Sequence, residues 1–223
     1  MDPFTYEEEI SSENFLAWCV RDSAQLKSDF LTYRPCYQGQ PPALWVEPLL
    51  GALDYKVLFC SMNEGQLGLC DMVNQNIFVT SRSDGKRKVD KHYRSSTLAH
   101  ELGHIRLHES ELRKDVCSDD DSWHSRSRYR EREANTYASH FLVCRTELEQ
   151  SPLVQELLES RSARQELSSS RIWTIIYRLA EAFAVSPTMM MRCLLELDWI
   201  EKDPNPNKTR PTELQLKWRT YYD

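Results

Sequence analysis

Residues 100–104 read His-Glu-Leu-Gly-His. Two histidines four apart bring their imidazoles to one point when the backbone between them is helical, because i and i+4 then share a face one turn apart. A helix through the middle of the chain is therefore the first requirement on any fold. Two imidazoles so placed can reach one ion at about 2.0–2.1 Å. Glu101 stands beside that face, positioned to take a proton from a water polarised by the ion rather than to bind the ion. Gly103 in mid-helix costs about 1 kcal/mol against Ala, so its presence calls for a close approach by another element. The pattern predicts one Zn2+ held by His100 and His104, with Glu101 as general base for attack on an amide carbonyl.

A third ligand has to come from elsewhere. His108 continues the i+4 series, but it lies about 12 Å along the helix axis from His100, too far to share the ion. It is expected to pack or to support a ligand. Ser110 and Leu107 exclude the longer motif with a third histidine on an extended segment. Downstream, Glu131-Arg132-Glu133-Ala134-Asn135 places a Glu and an Asn four apart on one helical face. Glu131 can bind the metal while Asn135 hydrogen-bonds a ligand histidine. The alternative for this stretch is a charged, solvated face. Glu133 falls about 200° around the axis from Glu131 and is expected at the surface.

Composition narrows the function classes. The chain has 223 residues, 40% of them hydrophobic, which suits one generous domain or a catalytic domain with a helical appendage. The net charge of −6 lacks the basic field common in nucleic-acid-binding domains. Seven widely spaced cysteines with no C-x-x-C argue for reduced thiols rather than a disulfide framework or a cysteine zinc site. The acidic start and the lack of a long apolar run lead us to expect a cytoplasmic protein without a membrane span.

The remaining pattern gives the organisation. Helices are expected from Ser11 or Ser12 to about Phe30, and over 44–53. Strands are expected over 55–60, 66–73 and 77–81, forming a small antiparallel sheet. The metal-bearing helix should start near Ser95 to Thr97 and run to Leu112. A second should span Tyr129 to Leu148, after a polar stretch containing Asp119 to Asp121. Ser186 and Pro187 are a natural N-cap and first residue for a helix from Thr188 to Leu197, paired with one over 172–184. Residues 203–211 read as a linker and 212–223 as a short docked helix. The expected fold is therefore α+β: a metallopeptidase domain over 1–150, a helical region over 151–202 that could be helix-turn-helix-like, and a tail over 203–223. From Arg161 onward there are ten basic and eight acidic residues, so DNA binding through these helices is disfavoured but open.

The run Thr97-Leu98-Ala99-His100-Glu101-Leu102-Gly103-His104, then Leu107-His108, then Glu131-x-x-Ala134-Asn135-x-Tyr137-Ala138, resembles the ImmA/IrrE family of metallopeptidases. The likeness extends more weakly over Leu53 to Ile200, including Leu179 to Ser186. It implies a cytoplasmic zinc endopeptidase whose protein substrate is a regulator, often a helix-turn-helix transcriptional repressor. The rival is a non-proteolytic metal-binding regulator that acts by binding a repressor or DNA. Such a protein would have no need of the carboxylate of Glu101. Transition-state stabilisers could be sought among Tyr129, Tyr137, His124 and His140, and sequence does not choose between them.

Overall fold

The structure, a computed structural model, describes residues 12–63, 66–81, 91–115, 123–163, 165–202 and 214–216. The chain begins with α1 (Ser12–Tyr33) and α2 (Val46–Ala52), then a sheet of β1 (Lys56–Cys60), β2 (Gly68–Asp71) and β3 (Asn76–Thr80). Two long helices follow, α3 (Lys91–Asp115) and α4 (Trp123–Leu142). Then come α5 (Arg145–Glu149), α6 (Pro152–Ser162), α7 (Ser169–Ala182), α8 (Pro187–Glu196) and a ribbon of β4 (Ile200–Lys202) and β5 (Leu214–Leu216). The fold is α+β, mostly helical, with a small sheet beside the long helices.

The sheet is mixed where an antiparallel one is expected. Its order is β1-β3-β2: β2 and β3 form the antiparallel hairpin, while β1 runs parallel to β3. Burial explains the order. Ile77 and Val79 of β3 are fully buried, whereas Leu58 and Phe59 of β1 and Leu69 of β2 are more than two-fifths exposed. The most buried strand takes the centre, so the chain passes from β1 to the far edge before returning through β3. The hairpin turn is closed by the Asp71 carboxylate, which accepts from the backbone N–H of Val73 and Asn74 at 3.1 and 3.0 Å. Gln75 adopts a left-handed φ of 52° there.

α3 and α4 form the heart of the molecule. A Cβ built on Gly103 would lie 2.7 Å from the carbonyl oxygen of Ala134 and 2.9 Å from its Cα. The glycine therefore allows the two backbones to meet beside His104, as its cost in mid-helix suggested. α1 is tied across them. Tyr137 donates to Asp22 at 2.5 Å, and Arg106 Nε reaches the same carboxylate at 3.0 Å. Trp45 stacks on Phe30 at 5.0 Å between ring centroids and meets Phe141 edge-on at 5.7 Å, closing the core below. α3 begins earlier than expected, at Lys91, and α4 stops at Leu142, where Cys144 turns extended before α5. The stretch Asp119 to Asp121 and the linker over 203–211 lie outside the described residues.

The C-terminal helices pack onto this heart. Ser186 caps α8, accepting from the Met189 N–H at 3.2 Å, and its own N–H donates to Ser96 Oγ of α3 at 3.1 Å. Met189, Met190, Cys193 and Leu194 are buried. Ser139 of α4 donates to Glu196 at the other end of α8. In a helix-turn-helix the second helix offers its N-terminal residues to a DNA groove. Here Ser186, Met189 and Met190 at that end are buried, and Ser186 is bonded to α3. Leu214 to Leu216, where a docked helix is expected, form strand β5, paired antiparallel with β4, and the rest of 212–223 lies outside the described residues. Among the described residues, no helix is long and apolar enough to cross a membrane.

Candidate metal centre

Three side chains from two helices converge. His100 and His104 project from one turn of α3, and Glu131 comes from α4. His100 Nε2 and His104 Nε2 lie 3.1 Å apart. Glu131 Oε2 is 3.1 Å from the first and Oε1 is 3.3 Å from the second. Four ligands arranged tetrahedrally at about 2.0–2.1 Å from Zn2+ would stand roughly 3.3 Å from one another. The two nitrogens have that separation, and the Glu131 carboxylate reaches each of them with a different oxygen, so one ligand atom from each of the three residues lies within 4.8 Å of the others. They also make up a group able to hold a metal ion among the described residues. Imidazole and carboxylate suit zinc and related divalent ions.

The same contacts set the electrostatics. Hydrogen bonds from His100 and His104 hold the Glu131 carboxyl far below the usual carboxylate range, against some opposition from burial. Burial alone would lower His100, but its bond to Glu131 and the nearby Glu101 carboxylate leave it raised. His104 is lowered, by burial first and then by the adjoining histidines. Glu131 is half exposed, so solvent screens part of this attraction. One donor set is thus anionic and two are imidazoles, drawn together where a cation would sit.

Glu101 is in a different environment. It is 5% exposed, and burial pushes its carboxyl up to about 7, with the Glu131 carboxylate adding to the effect. His100 and a backbone hydrogen bond involving Cys70 act the other way. A carboxyl poised near neutrality is suited to accepting and returning a proton. The room it occupies depends on Gly68, a residue the sequence reading passed over. A Cβ there would lie 2.5 Å from Glu101 Oε1 and 2.6 Å from Thr97 Cγ2. A glycine inside a strand is itself a sign of close approach, so the signal was available. Gly68→Ala is expected to push Glu101 off position and slow hydrolysis by roughly 10²-fold, with metal content unchanged. A variant as fast as the parent would show that Glu101 has slack.

The site opens into a cleft of about 830 Å³. One wall is β2 and the residues leading into it, with Leu67 and Leu69 about half exposed. The floor is His100, Glu101, His104 and Glu131, and the other wall is Ser186, Thr188, Met189 and Arg192 of the α8 region. Burial, then the Glu101 carboxylate, push the Cys70 thiol at the cleft up to about 12, so it stays protonated. Of the candidates for a transition-state stabiliser, Tyr129, Tyr137 and His140 do not line this cleft. Tyr137 is fully buried on Asp22, and neither Tyr129 nor His140 is among the lining residues. The side chain of His124 lies outside the described residues. The polar groups that do line the cleft include Tyr93, Arg130 and Arg192. Arg192 was invisible to pattern reading because it is brought in by a helix 57 residues beyond Asn135.

Each imidazole is also held from behind. His100 Nδ1 is 3.1 Å from Asn135 Oδ1, and the Asn135 amide donates to the Glu131 carbonyl at 2.6 Å. Arg192 donates to the same Asn135 oxygen. One expectation is corrected here. Glu133 is not a surface residue: it is 7% exposed, with Oε2 3.0 Å from His108 Nε2. Helical geometry correctly turns it away from Glu131, but the direction it turns is toward α3, which lies across the Gly103–Ala134 contact. His108 is fully buried and is not part of the metal-binding group.

The profile of the peptidase M78 family, described as the IrrE N-terminal-like domain, matches residues 52–193, from the end of α2 into α8. That span holds the whole donor cluster, Gly68, Asn135 and Arg192. No curated protein matches closely enough to be counted as a relative. The match covers more than half of the chain, and the protein belongs to the M78 family of peptidases.

Proposed function

We propose that the protein is a zinc-dependent endopeptidase that cuts an intracellular regulatory protein, with a helix-turn-helix transcriptional repressor as the favoured substrate. The observation that carries the first part is the triangle of His100, His104 and Glu131 donors, with the buried carboxyl of Glu101 beside it. The resemblance at the two motifs supports the substrate class.

In this reading His100 and His104 bind through Nε2 and Glu131 through its carboxylate. A Zn2+ ion held there would supply Lewis-acid chemistry, making a water more acidic and polarising a substrate carbonyl. Glu101 is placed to take a proton from the attacking water as the new C–O bond forms, and to return it to the amine nitrogen as the C–N bond breaks. Asn135 keeps the His100 Nε2 lone pair aimed inward by accepting the Nδ1 proton. The substrate lies extended in the cleft along β2. Among the described residues β2 pairs with β3 on one side only, and Gly68, Leu69 and Cys70 of β2 line the cleft, whereas β1, the other edge, does not. Main-chain pairing along such an edge tolerates varied sequence while holding the scissile bond in place. Leu67, Leu69 and Met189 offer apolar contacts to its side chains.

The test is cleavage by purified protein of candidate repressors from the same host, with and without a chelator. Cleavage abolished by chelation and restored by Zn2+ is expected. Stoichiometric Zn2+ binding through the three residues, with a captured partner left intact by the parent protein, would favour the non-proteolytic regulator.

A further inference from the structure

We propose that His108 and Glu133 are positioning residues, a buried relay that holds His104 in the tautomer able to bind the metal. The inference rests on the metal reading above and adds two residues to it. His104 Nε2 faces His100 and Glu131, so its proton must sit on Nδ1 when the ion is bound. That Nδ1 lies 3.1 Å from His108 Nδ1. His108 must therefore accept at Nδ1, and a neutral imidazole that accepts there carries its own proton on Nε2. His108 Nε2 is 3.0 Å from Glu133 Oε2, an acceptor. Every proton in the chain His104–His108–Glu133 then has a donor and an acceptor, running outward from the ion to a carboxylate.

The arrangement also excludes the simpler role. If Glu133 served only to pair with a doubly protonated His108, an N–H of His108 would face His104 Nδ1. His104 would then have to accept there and carry its proton on Nε2, where the ion needs a lone pair. A plain His108–Glu133 ion pair and a metal-binding His104 are incompatible. Burial makes the choice firm. His108 is 0% and Glu133 7% exposed, so a lost partner would leave a buried polar group unsatisfied. The two imidazoles of the centre are thus supported differently. His100 leans on an amide at the cleft wall, and His104 on a two-residue chain inside the α3–α4 packing.

Three variants read the relay out through metal affinity, with no substrate needed. His108→Leu removes the acceptor. His108→Asn puts back an oxygen close to the position of Nδ1. Glu133→Gln keeps the shape but replaces a charged acceptor with a neutral one, which makes a weaker bond. The affinity for Zn2+ is measured on folded protein by competition with a chromophoric chelator, and the absorption bands of the Co2+-loaded forms are compared. We expect His108→Leu to bind Zn2+ about 10- to 100-fold more weakly, Glu133→Gln about 10-fold more weakly, and His108→Asn to recover most of the loss. The Co2+ bands should shift in the first two. Zn2+ affinities of His108→Leu and Glu133→Gln within about twofold of the parent would overturn the relay, as would His108→Asn no better than His108→Leu. Should His108→Leu fail to fold, Glu133→Gln decides alone. A parent that binds Zn2+ only as weakly as His100→Ala would instead remove the metal reading, and the relay with it.

Discussion

Glu101→Gln is expected to slow peptide hydrolysis by about 10²- to 10⁴-fold while leaving metal content and affinity nearly unchanged. The substitution keeps the size of a side chain packed against Gly68 and Thr97, so the cleft should keep its shape. It removes the buried carboxyl beside the donor triangle, which can both accept and return a proton. The donors themselves are untouched, because Glu101 is not among them. The measurement is the initial cleavage rate of any protein substrate the parent cuts, alongside zinc content. Full activity would remove Glu101 from the mechanism. Loss of activity together with loss of zinc would show instead that the substitution had disturbed the ligands. The inactive, metal-loaded form should also hold its substrate, which makes it the reagent for identifying that substrate.

Glu131→Ala should weaken zinc binding by about 10²- to 10³-fold. A structural zinc site is worth about 10–16 kcal/mol in total, and one ligand of four carries a corresponding share. The neighbouring comparison, Glu133→Ala, tests a distinction the structure sharpened. Glu133 lies two positions away on α4 and reaches His108 rather than the donor triangle. Its loss should weaken binding by about 10- to 100-fold, through the orientation of His104 alone. Equilibrium zinc titrations of both folded variants, side by side, decide the ranking. A normal affinity in Glu131→Ala with a larger loss in Glu133→Ala would reverse the assignment.

How much of this was legible beforehand differs from element to element. The His100–His104 pair is a local statement: one helical turn brings the two rings together wherever the helix lies. Gly103 was equally local, since its cost in a helix implied a close neighbour. The cap at Ser186 with Pro187 was readable because capping involves residues three apart. Strand direction was not readable. β1, β2 and β3 each carry strand-like residues, and only their relative burial placed β3 between the others. Leu214 to Leu216 needed β4 beside them to become a strand, and three residues have no periodicity to show.

The sequence by itself determined that a helix presents two imidazoles and a neighbouring carboxylate, that a second helix offers Glu131 and Asn135 on one face, and that the fold is α+β. These follow from 3.6 residues per turn and from hydrophobic patterning, which are properties of short segments. Only the tertiary structure decided which surfaces meet. It brought His100, His104 and Glu131 into pairwise contacts of 3.1–3.3 Å and put Gly68 against Glu101. It also carried Arg192 into the cleft on a helix from far along the chain and turned Glu133 inward to His108. A charged residue on a helix looks the same in sequence whether it faces solvent or a buried histidine. What distinguishes the two is the element packed opposite, and for Glu133 that element is the helix whose approach Gly103 permits.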